Sequence, residues 1–470
     1  MDLIRGHHPQ LNYIFWFMQP YAQRIGGKKM KKRFTLALIL VLAMTITACS
    51  PKAPEPAQPG PETPAAEGST ATISVQVESS WREYYEAAVA RVMEKNPGAT
   101  INLIETGSFD HLEVLDATDV TNPDVADVFA IPADRIYGLS NNEALAPLDV
   151  KMMAENIGGF SDYDAGLGGN LRVDGEYLAF PMNIETLVTF VNTANAASKG
   201  IDISGPVELT ELEYTDMLLP AFDAWFGVSF ANAGGIELLG HDAQGNLFSD
   251  FTKEFSELNE QQKAVFTALY DYWKQHYTNG TPMWDAEAAW GYMDTEFSTG
   301  GQTALRIEGP WSTGSLSALA GNGADLEVIP INQITVKGYP LAHWKGGWGL
   351  AINSRNEGDE DKMALGMAMI EEIVNPEFAV DFFKATGKIL ENVSVDQYMD
   401  SDLSETDKKV ISAVLESYEA APARPLFTEW GSVWDTWKNG LLSWSANNPQ
   451  TVEDAYSAMK ASFDAMMANY

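Results

Sequence analysis

Residues 300–316, GGQTALRIEGPWSTGSL, constrain the fold more than any other stretch of the chain. Residues 303–307 form a run with small and β-branched residues that is too short for a helix and is bounded by glycines, which predicts a short buried strand. Gly309 allows the backbone to turn and Pro310 cannot continue a β-ladder, so Trp311 follows at the C-terminal end of the strand. Because ligands of open α/β sheets bind outside such strand ends, Trp311 is either a core residue after a turn or a flat apolar surface for a sugar ring.

Short strands and helices alternate from residue 72 onward. Residues 73–77 and 127–131 have strand patterns, and residues 81–96 have helical spacing. This alternation predicts an α/β sheet. The other elements that we expect are a strand at 100–104, a strand-like segment at 178–191 with a break at Pro181, a helix at 261–276, a glycine-led strand at 346–352, and helices at 363–374, 376–385, 405–418, 433–444 and 451–467.

The chain has a formal net charge of −35 over 470 residues, of which 45% are hydrophobic. Such a charge argues against nucleic-acid binding and against broad contact with an anionic membrane surface. Cys49 is the only cysteine, so the chain can form no internal disulfide or cysteine metal site. HExxH, P-loop and GxSxG motifs are absent from the sequence. We therefore expect no metal and no cofactor.

Residues 30–48 have the pattern of a bacterial secretion signal. A basic start precedes an apolar run at residues 34–46 that is too short to span a bilayer. Ile46-Thr47-Ala48-Cys49 resembles a lipobox, in which cleavage precedes the cysteine and its thiol is then lipidated, for example with palmitate. An ordinary signal peptide with an incidental cysteine is the alternative. Residues 1–29 do not fit this arrangement, and we expect them to be upstream sequence translated in error ahead of Met30.

Residues 49–69 are interpreted as a lipidated cysteine followed by a tether rich in proline, alanine and glutamate. Such a segment cannot bury a core and favours extended polyproline II structure. At about 3.1 Å per residue it would reach roughly 60 Å, enough for a folded domain to stand clear of the cell surface.

Four motifs, in this order, resemble the family 1 extracellular solute-binding proteins of ABC importers, the maltose-binding-protein type. The resemblance extends from about residue 72 to the end of the chain, mostly at the level of pattern. The motifs are DVFAIPADR at 127–135, FPMNIETLVTFVN at 180–192, GGQTALRIEGPW at 300–311 and EWGSVWDTW at 429–437.

This resemblance implies a two-lobe periplasmic-binding-protein-like fold (type II), with a hinge between two α/β lobes and the ligand in the cleft. The first lobe is expected at residues 70–183 and 350–392, and the second at 187–346 and 396–470. Closure of the lobes would be a hinge motion stabilised by a ligand that touches both.

The same resemblance implies a set of carbohydrate-binding residues. Carboxylates and an arginine would bind hydroxyl groups while indole faces cover C–H patches of the sugar. Trp434 is the preferred aromatic of the last motif and Trp430 the next, whereas Trp81 and Trp225 match only loosely. The full set is Asp134, Arg135, Glu185, Trp311, Trp434, Trp430, Trp81 and Trp225.

Structural interpretations of these residues remain open. Asp134 and Arg135 also suit a surface ion pair, and Glu185 suits a helix-start carboxylate. The spacing of Trp430, Trp434 and Trp437 is typical of core packing, so we expect at least one of them in the core. Trp344 and Trp348 flank Gly346-Gly347 and are further candidates for the cleft. Ile131 stands where the family has a binding aromatic, which leaves the sugar undefined.

The sequence therefore favours a non-enzymatic, monomeric, lipid-anchored protein on the outer face of a bacterial cell membrane, or in the periplasm if there is an outer membrane. It would bind a maltodextrin-like oligosaccharide and deliver it to ABC permease subunits. A sugar sensor for a membrane kinase and a secreted glycoside hydrolase are the alternatives; a hydrolase would need two carboxylates roughly 5–10 Å apart.

Overall fold

The computed structural model describes residues 69–470. The predicted leader, Cys49 and nearly all of the predicted tether lie outside the described residues. The strands are β1 Thr72–Val77, β2 Thr100–Glu105, β3 Val128–Pro132, β4 Arg172–Val173, β5 Glu176–Tyr177, β6 Phe180–Glu185, β7 Val188–Asn192, β8 Val207–Glu208, β9 Met217–Leu218, β10 Gly240–His241, β11 Leu247–Phe248, β12 Leu305–Glu308, β13 Leu326–Pro330, β14 Ile334–Val336, β15 Tyr339–Pro340 and β16 Gly346–Ile352.

Helices pack around these strands, as expected for an α/β chain. They are α1 Arg82–Lys95, α2 Ser108–Ala117, α3 Ile136–Asn141, α4 Val150–Ile157, α5 Leu167–Asn170, α6 Thr193–Lys199, α7 Ala224–Gly234, α8 Glu260–Thr278, α9 Ala288–Phe297, α10 Thr313–Leu319, α11 Glu360–Ile373, α12 Ala379–Thr386, α13 Val395–Met399, α14 Glu405–Ala420, α15 Val433–Asn447 and α16 Val452–Met467. Among the helices of residues 69–470, none combines the length and apolarity needed to cross a bilayer.

A first sheet has the strand order β2-β1-β3-β16-β6. Strand β1 runs parallel to β2 and β3, whereas β16 runs antiparallel to both β3 and β6. Every residue of β3 and β16 is buried, because both strands have neighbours on either side and helices cover the sheet faces. The expected strand at residues 346–352 is thus confirmed as a central strand.

A second sheet has the strand order β13-β7-β12-β9. Strand β7 is buried at every position, and its alternate side chains belong to two different apolar cores. Val188 and Phe190 join the core that also contains the first sheet and Val410 and Val414 of α14. Val191 joins the second core, which includes Trp437 of α15.

The expected break at Pro181 is wrong. Pro181 lies inside β6, and the chain leaves this strand only after Glu185, so that Thr186 and Leu187 separate β6 from β7. Strand β6 forms the edge of its sheet, where a proline need not donate a ladder hydrogen bond. Pro181 also pairs with Gly349 at a shift in the strand register, which accommodates the missing N–H.

Three passages of the chain connect the two sheets. The first is the short link from β6 to β7. The second runs from β13 of the second sheet through β14 and β15, which form a separate small sheet with β8, and then through residues 341–345 into β16. The third begins near Ile389, which bridges to Ile184 of β6, and continues through α13 to α14 beside β13. A chain that crosses at several points between two sheets can bend there while each sheet keeps its own packing.

Glu391 lies at the start of the third passage and is a half-buried acid whose carboxyl group has an incomplete set of partners. Its Oε1 accepts the N–H of Leu167, whereas Oε2 has no partner among the described residues. Burial raises the pKa of the Glu391 carboxyl to about 7. The pKa of this group is higher in the folded than in the unfolded protein. Ionisation of Glu391 therefore lowers the free energy of unfolding, and this loss grows as the pH rises from the unfolded pKa to about 7.

We expect Glu391→Gln to flatten the pH dependence of stability. The free energy of unfolding of the wild type should fall relative to that of the variant as the pH rises from 5 to 8, with a difference of a few degrees in Tm. Thermal unfolding at several pH values measures this difference. The exposed Glu416→Gln is the matched control. Parallel curves for the wild type and Glu391→Gln would contradict the assignment.

Candidate functional site

Trp311 is displayed at the end of β12. The strand ends at Glu308, Gly309 follows in extended conformation, and Pro310 opens a short 3-10 turn that contains Trp311. The indole folds back over Gly309 so closely that a Cβ at position 309 would lie 2.1 Å from a ring carbon of Trp311. Trp311 is 41% exposed. Of the two alternatives that the sequence left open, it is therefore a surface aromatic and not a core residue.

Trp311 is the outermost member of a group that we call the tryptophan cluster. Its ring centroid lies 6.4 Å from that of Trp225, which stacks at 6.4 Å on Trp434 of α15. Trp344 and Trp430 close the group with edge contacts to Trp434 at 6.0 and 4.9 Å. The tryptophan cluster therefore consists of Trp225, Trp311, Trp344, Trp430 and Trp434.

Burial differs strongly within the last sequence motif. Trp430 is buried, Trp434 is half-buried, and Trp437 lies in the core with its Nε1–H donating to the carbonyl oxygen of Ala221 at 2.8 Å. Trp437 is thus the expected core member. Trp434 is therefore the most exposed tryptophan of this motif, and the buried Trp430 packs against it.

Arg424 fills the centre of the tryptophan cluster. Its guanidinium carbon lies 5.1 Å from the ring centroid of Trp225, 5.5 Å from that of Trp344 and 5.9 Å from that of Trp434. Such positions favour cation–π attraction, which is strongest where water is excluded. The sequence interpretation missed this residue. Its signal is a single arginine in a stretch of alanines and prolines, AAPARPLF at 420–427.

Asp134 brings the first sheet to this guanidinium. It lies in the 3-10 turn Ala133–Arg135 directly after β3, and its Oδ2 is 2.8 Å from Nη2 of Arg424. Among the residues of 69–470, Asp134 is the carboxylate that pairs with Arg424, and the Arg424 side chain is only 4% exposed. Carboxylate and guanidinium together offer an acceptor beside several donors.

Arg135 and Asp134 have different partners. The alternative that these two residues form an ion pair with each other at the surface is therefore wrong. The guanidinium of Arg135 binds the carboxylate of Asp116 on α2 at 2.8 Å, and both groups are partly exposed. Arg135 thus belongs to the rim of the first sheet, adjacent to Asp134 in sequence.

A second polar and aromatic group lies on the first sheet. Glu185, the last residue of β6, accepts the Nε1–H of Trp348 at 3.2 Å. The ammonium of Lys388 lies 5.0 Å from the ring centroid of Trp348 and 5.5 Å from that of Trp81. Trp81 and Trp348 are both buried, so Lys388 and Glu185 present the polar surface of this group.

Gly346 connects the two groups. Its backbone pairs with Glu185 across β16 and β6. A Cβ at this position would lie 3.0 Å from the carbonyl oxygen of Glu185 and 3.9 Å from both Arg424 and Trp225. Gly346 and Trp348 occupy alternate positions of one strand and therefore face the same side. The tryptophan cluster therefore lies against the same side of β16 as Trp348.

His343 belongs to the wall of the site and is held neutral. Its ring packs 4.4 Å from Trp225, and its Nε2 lies 2.9 Å from the carbonyl oxygen of the same residue. Burial, assisted by the charge of Arg424, lowers the pKa of His343 to about 3. Near neutral pH the guanidinium of Arg424 therefore has no charged imidazole beside it.

The described residues provide no group of three or more histidine, cysteine, aspartate or glutamate side chains suited to a metal ion. The site consists of indole faces, two carboxylates, an arginine and a lysine. These groups can hold a polyhydroxylated molecule through hydrogen bonds and C–H contacts.

Comparison with known proteins identifies similar structures but no similar sequence. No family model matches the chain, and no curated protein is significantly similar to it. The maltose-binding protein MalE from Listeria monocytogenes, solved with maltose, has 19% sequence identity and a TM-score of 0.64 over 85% of this chain and 99% of its own.

Two further solved structures agree with this similarity. MalX from Streptococcus pneumoniae, solved with maltopentaose, has 18% identity and a TM-score of 0.61 over 84% of this chain and 99% of its own. The GacH receptor of Streptomyces glaucescens, solved without ligand and with acarbose, has 15% identity and a TM-score of 0.59 over 85% of this chain and 99% of its own. The expected fold class is therefore confirmed: the chain has the mixed α/β, two-lobe periplasmic-binding-protein-like fold of the maltose-binding proteins.

Proposed function

We propose that this protein binds an oligosaccharide between its lobes and acts as the substrate-binding component of an ABC importer. The observation that carries the proposal is the exposed indole of Trp311 at the edge of the tryptophan cluster, in whose centre Arg424 pairs with Asp134. The fold supports it, because the similar structures include proteins solved with maltose and maltopentaose. A maltodextrin is accordingly the favoured ligand.

In the proposed complex, apolar faces of the sugar rings stack on Trp311 and Trp434, and hydroxyl groups bind the charged side chains. Asp134 accepts from hydroxyls, Arg424 donates to them, and Glu185 offers its carboxylate from the first sheet. Trp225, Trp430 and Trp81 support these contacts from behind, and Arg135 extends the polar rim. Since Asp134 and Trp311 follow strands of different sheets, one ligand that touches both would favour lobe closure.

The lobe boundaries, lipid anchoring at Cys49, an extracellular position and delivery to permease subunits complete the proposal. They rest on the sequence pattern of the leader and on the motif resemblance. A tethered binding protein would hand its ligand to a transporter in the same membrane, and a tether of roughly 60 Å leaves it free to orient. Radiolabelled palmitate incorporation, compared between the wild type and Cys49→Ala, tests the anchor.

We expect maltotriose and maltotetraose to raise the Tm of the soluble domain by several degrees. A ligand that binds only the folded state stabilises it by about 2.7 kcal/mol at a concentration of 100 Kd. A thermal-shift panel with cellotriose and xylotriose as matched controls measures the preference. A shift with the controls alone would contradict the maltodextrin assignment. No shift with any oligosaccharide would contradict the proposed function.

A further inference from the structure

Strand β12 contains two charged side chains in the interior of the second sheet. Arg306 and Glu308 are each 2% exposed, and they lie two residues apart on the same side of the strand. Nη2 of Arg306 lies 3.2 Å from Oε2 of Glu308, and Nη1 contacts Asp294 of α9. The adjacent residues Leu305 and Ile307 are apolar and buried, as is usual for a strand in this position.

This arrangement is costly for stability. Removing two ions from water has a large penalty, and apolar residues of similar size often stabilise a fold equally well or better. The Nε–H of Arg306 has no acceptor among residues 69–470. Burial raises the pKa of Glu308 although a guanidinium lies beside it. A role in core stability therefore does not explain the pair.

The carboxylate of Glu308 also makes a contact outside the pair. Its Oε1 accepts the backbone N–H of Gly309 at 3.2 Å. Gly309 is the residue over which the Trp311 indole folds, and its carbonyl oxygen accepts the N–H of Ser312 at 3.0 Å. Arg306 fixes one oxygen of the carboxylate, the other oxygen fixes the amide of Gly309, and Gly309 forms the floor beneath the exposed indole.

We propose that Glu308, held in place by Arg306, is a positioning residue that sets the orientation of the Trp311 indole for sugar stacking. The proposal rests on the proposed function, because it assumes that Trp311 contacts the ligand. It assigns the buried ion pair to ligand affinity and not to folding stability. The buried charges order the indole before the ligand binds. Binding therefore costs less conformational entropy, because the indole is already held in the orientation of the complex.

The test compares the double variant Arg306→Met, Glu308→Met with the single variant Glu308→Gln, using maltotriose in isothermal titration calorimetry. The double variant leaves no lone buried charge, so we expect it to fold with a Tm equal to or above that of the wild type. It lacks the acceptor for Gly309 and should bind about 10-fold more weakly. Glu308→Gln keeps an acceptor oxygen and should bind within about 3-fold of the wild type.

Fluorine NMR of 5-fluorotryptophan-labelled protein provides a readout that a purely structural role would not change. Trp311→Phe identifies the resonance of residue 311. In the ligand-free double variant this resonance should shift or broaden, whereas that of the core residue Trp437 should not. Changes at both positions would indicate a general packing defect and overturn the proposal.

Trp311→Ala separates failure of this proposal from failure of the proposed function. If Trp311→Ala binds maltotriose as the wild type does, or if the wild type does not bind it, the proposed site is wrong. If Trp311→Ala loses affinity but the double variant keeps it, the site stands and the positioning role of Glu308 is refuted. If the double variant fails to fold, the pair serves stability, which also refutes the proposal.

Discussion

Trp311→Ala is expected to weaken maltotriose binding by about 2 kcal/mol, roughly 30-fold, with little loss of folding stability. Trp311 is 41% exposed and stands at the edge of the tryptophan cluster, so its ring contributes little to the core, and in the proposed complex it stacks on the ligand. Substitutions of exposed side chains usually change the free energy of unfolding by less than about 0.5 kcal/mol. Calorimetric titration together with urea unfolding measures both quantities.

Tyr277→Ala is the matched control for this prediction. Tyr277 is an exposed aromatic of similar accessibility, 38%, and it stacks on Trp273 near the end of α8, outside the tryptophan cluster. Its loss should leave maltotriose affinity unchanged. Equal effects of the two substitutions, or a Trp311→Ala protein that binds as tightly as the wild type, would remove Trp311 from the binding site.

The local parts of this site could be predicted from sequence because each depends on a few neighbouring residues. The break at Gly309-Pro310 is visible in the chain, and it places Trp311 beyond the end of β12. The sequence predicts the glycine-led strand β16 with its observed bounds, because its apolar run is short and begins with two glycines. The predicted helix at 405–418 covers all but the last two residues of α14.

Contacts between distant residues could not be predicted in this way. Asp134 pairs with Arg424 across 290 positions, and neither periodicity nor spacing encodes such a pair. The motif resemblance indicated Arg135 as the arginine of the site, whereas the structure places Arg424 among the indoles and Arg135 beside Asp116. Likewise, helical spacing groups Trp430, Trp434 and Trp437, but only tertiary packing decides that Trp437 is core and Trp434 is half-buried.

Arg424→Met is expected to weaken maltotriose binding by about 2–3 kcal/mol, roughly 30- to 150-fold. Methionine keeps much of the volume between Trp225, Trp344 and Trp434, so these rings should retain their packing. The variant loses the donors that the proposed function assigns to ligand hydroxyls, and it leaves the carboxylate of Asp134 without its partner. Asp134 is partly exposed and can be hydrated, so the effect on folding stability should be smaller than the effect on affinity.

Arg135→Met provides the comparison that decides between the two arginines. Both substitutions remove one guanidinium beside a carboxylate, but only Arg424 lies within the tryptophan cluster. We therefore expect Arg135→Met to reduce affinity less than 5-fold in the same titration. If it is the more damaging of the two, the arginine indicated by the sequence motif binds the sugar directly. Arg424 would then be a structural cation that holds the indoles apart, and the donor assigned to it would belong to the rim of the first sheet.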